Sequence, residues 1–194
     1  MATEACYNAA VDFIDRQVAG GLGERLAVCD PLGSLTYAGL LAAAARVGTV
    51  LAGLGVGPEQ RIAVVLFDTV EFAAVFWGAI RAGIVPVLLN TRLTAQQYRY
   101  MIEDSRARVV LASPALLPVV EEAVRGLAMP RTVIAVGPGA GGTPDFAQLV
   151  AAADPAPAAA TSPDEVAYWL YSSGTTGNPK GVMHVHTTPR SISE

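Results

Sequence analysis

The sequence predicts an α/β domain built on a largely parallel sheet with flanking helices. Three observations carry that expectation. Short β-branched runs alternate with helix-periodic runs from about Leu26 onward, the pattern of strands joined by right-handed helical crossovers. Only 15% of residues are charged against 52% hydrophobic, as expected where both faces of a sheet are covered and few elements keep a polar side. Glycine or proline punctuates the runs.

Leu26 to Cys29 is short and apolar, and Pro31-Leu-Gly-Ser reads as a turn. Thr36 is placed to cap a helix whose Leu40, Ala44, Val47, Leu51 and Leu54 share one face, with Gly55 and Gly57-Pro58 ending it. Arg61 to Phe67 reads as a buried strand, and Thr69 to Ala82 as a helix apolar nearly all round, closed by Gly83. Ile84 to Leu89 is the next strand. Its Pro86 donates no ladder bond, which predicts an edge or bulge position. Thr94 and Gln97 have capping-box spacing and open a helix to about Arg106, with Tyr98, Met101 and Ile102 inward. Arg108 to Ala112 is a strand, Pro114 to Arg125 a helix, Arg131 to Val136 a strand, and Phe146 to Ala152 a short helix. The Gly137–Thr143 stretch offers Gly-x-Gly but no full dinucleotide fingerprint, so it reads as a surface turn. The expected organisation is an α/β subdomain over 1–152, an Ala/Pro-rich linker over 153–165, a strand–loop–strand segment over 166–186 and an atypical tail over 187–194.

Composition excludes several classes. The 194 residues suffice for one well-buried domain and are short for a two-domain enzyme. Net charge is −4 with no basic run, which argues against nucleic acid as a partner. Cys6 and Cys29 lie far apart without metal-ligand or disulfide spacing, and the first residues lack a secretion signal, so a soluble cytoplasmic protein is expected. The longest apolar stretch, Ala73 to Ile80, falls short of the roughly 20 residues a membrane helix requires.

The chemistry concentrates after Val166–Tyr171, a strand-like run. Ser172 to Gly181 holds three glycines, four hydroxyl side chains, a proline and Lys180, the chain's one lysine beside twelve arginines. Glycines let backbone N–H groups turn toward an anion, hydroxyls add donors, and an ammonium supplies a point charge. The string departs from a Walker loop: Asn178 and Pro179 separate Gly177 from Lys180, Gly181 follows, and the alternation of Val182 to His186 predicts a second strand instead of a helix. His184 and His186 share a strand face, but without a third ligand they read as strand or surface histidines, and no metal site is assigned. Trp169 and Tyr171 read as sheet packing. Asp68 and Glu71 read as helix-start acids, not a catalytic pair.

The string Tyr171-Ser-Ser-Gly-Thr-Thr-Gly-Asn-Pro-Lys-Gly181 resembles the signature loop of the adenylate-forming superfamily: acyl- and aryl-CoA synthetases, luciferases and peptide-synthetase adenylation enzymes. The likeness extends back through Leu35 to Leu40, Leu54 to Arg61, Gly78 to Pro86 and Asn90 to Thr94. Tyr7 to Ala10, Asp68 to Phe72 and Tyr98 to Arg106 are most similar to benzoate-CoA ligases. The resemblance implies the N-terminal part of the large domain of such an enzyme. It also implies ATP-dependent conversion of an aromatic carboxylic acid to an acyl-adenylate, then to a thioester, with ATP, Mg²⁺ and coenzyme A consumed or required. Ser172, Ser173, Gly174, Thr175, Thr176, Gly177 and Lys180 would contact the phosphates, and no catalytic residue in the proton-transfer sense is assigned. The family's acid pocket, adenine segment and C-terminal lysine lie further along, so the chain is expected to be incomplete and inactive alone. Its partner would be the missing remainder or a second copy, and it should aggregate readily through uncovered apolar surface. Two other readings remain open: a non-catalytic ATP- or polyphosphate-binding module, and an unrelated NTPase, which the lysine spacing disfavours.

Overall fold

A computed structural model describes residues 6–31, 33–130, 132–139, 146–172 and 178–193. The β-branched runs form six strands of one sheet: β3 (Arg61–Val65), β4 (Val85–Leu88), β5 (Val109–Ala112), β6 (Thr132–Ala135), β7 (Val166–Ser172) and β8 (Lys180–Val185). Their spatial order is β6-β5-β3-β4-β7-β8. All neighbours pair in parallel except β7 and β8, which are antiparallel. The expected open, largely parallel layer is therefore present, and the segment after the Ala/Pro-rich stretch joins the same sheet.

A separate antiparallel hairpin pairs β1 (Leu26–Asp30) with β2 (Gly33–Thr36). The second of these strands was not expected. Its entry is set by Asp30, whose Oδ1 accepts from the Gly33 amide at 2.8 Å, a side-chain turn that short polar residues favour.

Pro86 corrects another expectation. It sits neither at an edge nor at a bulge but inside the sheet, in β4 between β3 and β7. The Val85 and Leu89 amides donate to Gln60 and Val64 on the β3 side. Position 86 thus faces β7, whose registered partners begin only at Val87. The missing donor falls just outside the paired stretch.

Helices cover both faces. Thr36 Oγ1 accepts from the Gly39 amide at 3.2 Å and opens α1 (Tyr37–Gly53), where Leu40, Ala44, Val47 and Leu51 are buried as the spacing predicted. Helix α2 (Val70–Arg81) has no side-chain cap of its own; Asp30 Oδ2 accepts from the Val70 amide at 2.8 Å instead. Helix α3 (Ala95–Ser105) starts with the anticipated capping box, Thr94 with Gln97. A short turn at Pro114–Leu116 leads into α4 (Leu117–Val124), and α5 (Phe146–Ala152) follows β6.

Alternate strand residues feed two cores. Ile62, Val64, Val109, Leu111 and Ile134 pack with α1, α2 and α5. Ala63, Val65, Val87, Val110 and Ala112 pack with Tyr98, Met101 and Ile102 of α3 and Val120 and Ala123 of α4.

Residues 154–162 carry neither helix nor strand, yet they are strapped to the domain. The Ala156 and Ala159 amides donate to the Ala45 and Arg81 carbonyls, and Arg81 Nη1 donates back to the Ala156 carbonyl at 2.6 Å. Two segments outside the sequence-based assignment are helical. Widened turns span Val11–Asp15 and Val18–Leu22, the first tied by Asp15 to Arg81 at 3.0 Å. The tail forms α6 (Thr188–Ser193), where Pro189 falls in the first turn and its missing N–H costs nothing. No helix among the described residues is long and apolar enough to cross a membrane.

Candidate functional site

The described ends of the glycine- and hydroxyl-rich string lie at the carboxyl edge of the parallel strands, where open α/β sheets place their ligands. Ser172 ends β7 and Lys180 begins β8; the two are register partners across the antiparallel pair, and both are exposed. Ser173, Gly174, Thr175, Thr176 and Gly177 lie outside the described residues. What is described is the frame on which that stretch is hung. The second strand that the alternation after Lys180 predicted is present as β8.

That frame is rigid for identifiable reasons. Trp169 and Tyr171 lean onto the α3 side of the sheet. The Tyr171 hydroxyl donates to Asp104 Oδ2 at 2.6 Å and to the Met101 carbonyl at 3.3 Å. Burial, then this bond to the carboxylate and the Asp104 charge, push the phenol well above its ordinary range, so it stays a donor. Across the pair, a Cβ at Gly181 would come within 3.1 Å of the Trp169 ring and 3.4 Å of Tyr171 Cζ. The last glycine of the string thus serves packing, leaving room for two rings against β8 just beyond Lys180. Sequence reasoning assigned that glycine to the loop and missed the Tyr171–Asp104 tether, because the tether joins residues 67 apart.

The histidines are structural. His184 stacks on Tyr168 with ring centres 4.6 Å apart. His186 is buried just past β8, and its Nδ1 accepts from the Ala9 amide at 3.1 Å. Among the described residues no group of three or more His, Cys, Asp or Glu is arranged to hold a metal ion. Phe76 meets Tyr168 edge-on at 5.6 Å, so β7 is pinned on the α2 side as well. Asp68 and Glu71 flank the start of α2, consistent with the helix-start role expected of them.

Comparison with known proteins agrees with this frame. The family model described as AMP-binding enzyme matches residues 14–190, nearly the whole chain. The chain belongs to the AMP-binding enzyme family. Among its relatives in that family is the 4-hydroxybenzoate-CoA/benzoate-CoA ligase of Rhodopseudomonas palustris. It is 61% identical over 97% of this chain, which covers 35% of that protein. The benzoate-CoA ligase of Thauera aromatica is 40% identical over 93% of this chain and 34% of its own length. The crystal structure of a benzoate CoA ligase from Burkholderia xenovorans superimposes with a TM-score of 0.83 at 40% identity, over 93% of this chain and 35% of that one. The chain thus spans about a third of the length of the relatives it matches. The matched part is their amino-terminal fold.

Proposed function

We propose that this chain provides the triphosphate-holding part of an AMP-forming acid–CoA ligase that acts on benzoate or a hydroxybenzoate. The observation that carries the reading is the frame at the carboxyl edge: an exposed hydroxyl at Ser172 and an exposed ammonium at Lys180, in register, on strands locked by Tyr171 and Gly181. The 61% identity to a ligase of that name supports the choice of acid.

A carboxylate is a poor electrophile because its charge repels nucleophiles. Attack on the α-phosphate of ATP gives an acyl-adenylate and releases pyrophosphate, and the CoA thiol then displaces AMP. The departing β- and γ-phosphates must be held in line and their charge spread. Ser172, Ser173, Gly174, Thr175, Thr176, Gly177 and Lys180 are the donors proposed for that task. The donor set fits it: backbone amides freed by glycine, neutral hydroxyls and one fixed cation. Mg²⁺ would accompany the triphosphate as a counter-charge. These residues position and stabilise; none moves a proton.

Calorimetric titration of the chain with ATP tests the reading. Lys180→Ala should weaken binding by about tenfold or more, the loss expected of one charge-assisted hydrogen bond. Fusing the chain to the remaining two thirds of its Rhodopseudomonas relative should give benzoate-dependent ATP–pyrophosphate exchange. ATP binding that depends on Lys180, with no benzoate-dependent exchange in the fusion, would favour a non-catalytic nucleotide-binding module instead.

A further inference from the structure

At the opposite, amino edge of the sheet lies a cavity of about 600 Å³, lined by Gln60, Arg61, Glu103, Arg106, Arg108 and the 127–129 turn. Its volume falls within the range of small-molecule sites. Three of the chain's thirteen cationic side chains share it. Arg61 and Arg108 immediately precede the registered pair Ile62–Val109, and the Arg108 amide donates to the Arg61 carbonyl at 2.8 Å. Each stands two residues before a member of the α3–α4 core, Ala63 or Val110, so both side chains fall on that face of the sheet and line the same cavity. Like charges so placed repel one another.

No ion pair among the described residues offsets that repulsion, and none of the three arginines forms one. The carboxylate in the lining, Glu103, is 3.7 Å from Arg99 Nε instead. Arg61 is held by backbone carbonyls: its Nε donates to Ser105 at 2.8 Å and its Nη1 to Glu59 at 3.2 Å. Its guanidinium is therefore ordered but not neutralised.

The backbone is also unusual at this spot. Arg106 ends α3 in the left-handed region, at φ 53° and ψ 38°, a position that glycine normally fills. Glu59, next to Gln60, has φ 60°. They are the two non-glycine residues with positive φ among those described; Arg106 lines this cavity, and Glu59 directly precedes its lining residue Gln60. Strained backbone is retained where a side chain must be presented.

We propose that this cavity binds a phosphate-bearing anion, gripped by Arg106 and Arg108 and buttressed by Arg61. A phosphate group carries close to two negative charges near neutral pH and offers several acceptor oxygens. That matches guanidinium forks better than a single carboxylate does. The site does not depend on the reading of the carboxyl-edge loop.

The test uses the Lys180→Ala chain, so that the other edge does not contribute, and follows amide resonances by NMR during titration with inorganic phosphate. Sodium chloride at matched ionic strength is the reference, and pyrophosphate a second probe. Saturable shifts centred on 106–108 and 127–129 are expected with phosphate and not with chloride. Arg108→Gln should weaken that response about tenfold. Arg106→Gly separates binding from a purely structural role. Glycine takes the left-handed conformation freely, so this variant should raise the unfolding midpoint while weakening phosphate binding to a similar extent. Chloride reproducing the shifts would overturn the proposal. So would Arg106→Gly gaining stability with its phosphate response intact, since the arginine would then only complement the helix end.

Discussion

Gly78 shows how one absent methyl group sets a distance between elements. In α2 it faces α1, and a Cβ there would lie 2.7 Å from Val47 Cβ and 2.8 Å from the Ala44 carbonyl oxygen. Real Cβ atoms do not approach backbone that closely, so Gly78→Ala must push the helices apart. An alanine gains up to about 1 kcal/mol of helix propensity over glycine. Overpacking of a well-filled core costs about 1–3 kcal/mol, so a net loss is expected in the urea unfolding midpoint. Gly53, at the end of α1, has nothing within 4 Å of its ideal Cβ. Gly53→Ala should therefore stabilise by up to about 1 kcal/mol in the same measurement. Residue-scale features were legible where both partners lie within one turn. Thr36 and Thr94 announced their helices because each cap accepts from an amide three residues on. The cap of α2 comes from Asp30, 40 residues away, and no local pattern reports such a bond.

At the scale of elements, the docking of the N-terminal segment depends on protonation. The Tyr7 amide donates to the Thr161 carbonyl, the Thr161 hydroxyl returns a bond to the Tyr7 carbonyl, and Asn8 Nδ2 reaches the Ile80 carbonyl at 3.1 Å. The fourth tie is His186 Nδ1, which accepts from the Ala9 amide only while unprotonated. Burial holds the His186 imidazole below its ordinary range, against a smaller upward pull from the Glu165 carboxylate. The unfolded chain therefore binds this proton more readily than the folded one. The contribution of His186 is complete above the unfolded value near pH 6.5 and is lost as pH falls toward the lower folded value, at no more than about 1.4 kcal/mol per pH unit. Urea midpoints at pH 7.5, 6.5 and 5.5 should fall for the wild type. In His186→Asn, whose Oδ1 stands where Nδ1 did relative to Cβ and is an acceptor at any of these pH values, the fall between 6.5 and 5.5 should be shallower. Strands and helices were legible from period and punctuation alone, down to the bounds of α5. Among the exceptions, β2 and Pro86 depended on an Asp30 turn and on where a neighbouring strand begins to pair, while the N-terminal turns and α6 lay outside the sequence-based assignment.

Over the whole molecule, the two proposed sites lie at opposite edges of one sheet and differ in legibility. The carboxyl-edge string is contiguous, so its glycines, hydroxyls and lysine could be read together. The amino-edge arginines come from β3, the end of α3 and the approach to β5, and only the fold unites them. The same assembly leaves an apolar strip uncovered. Leu170 and Val182 are register partners at the outer end of the sheet, 40% and 43% exposed on one face, and Met183, paired with Trp169 on the other face, is 59% exposed. The strip runs from β7 onto β8, the outermost of the described strands on that side, so apolar surface and unpaired ladder groups coincide. That combination drives strand-edge association. The isolated chain should therefore grow in apparent mass with concentration in sedimentation velocity and bind a dye that reports apolar surface. Val182→Lys places a charge on the strip without touching a buried residue. It should shift the chain toward monomer and lower dye binding, with its unfolding free energy within about 0.5 kcal/mol of the wild type. If Val182→Lys associates as strongly as the wild type, the contact lies elsewhere on the molecule, and the strip is no more than a scatter of surface hydrophobes.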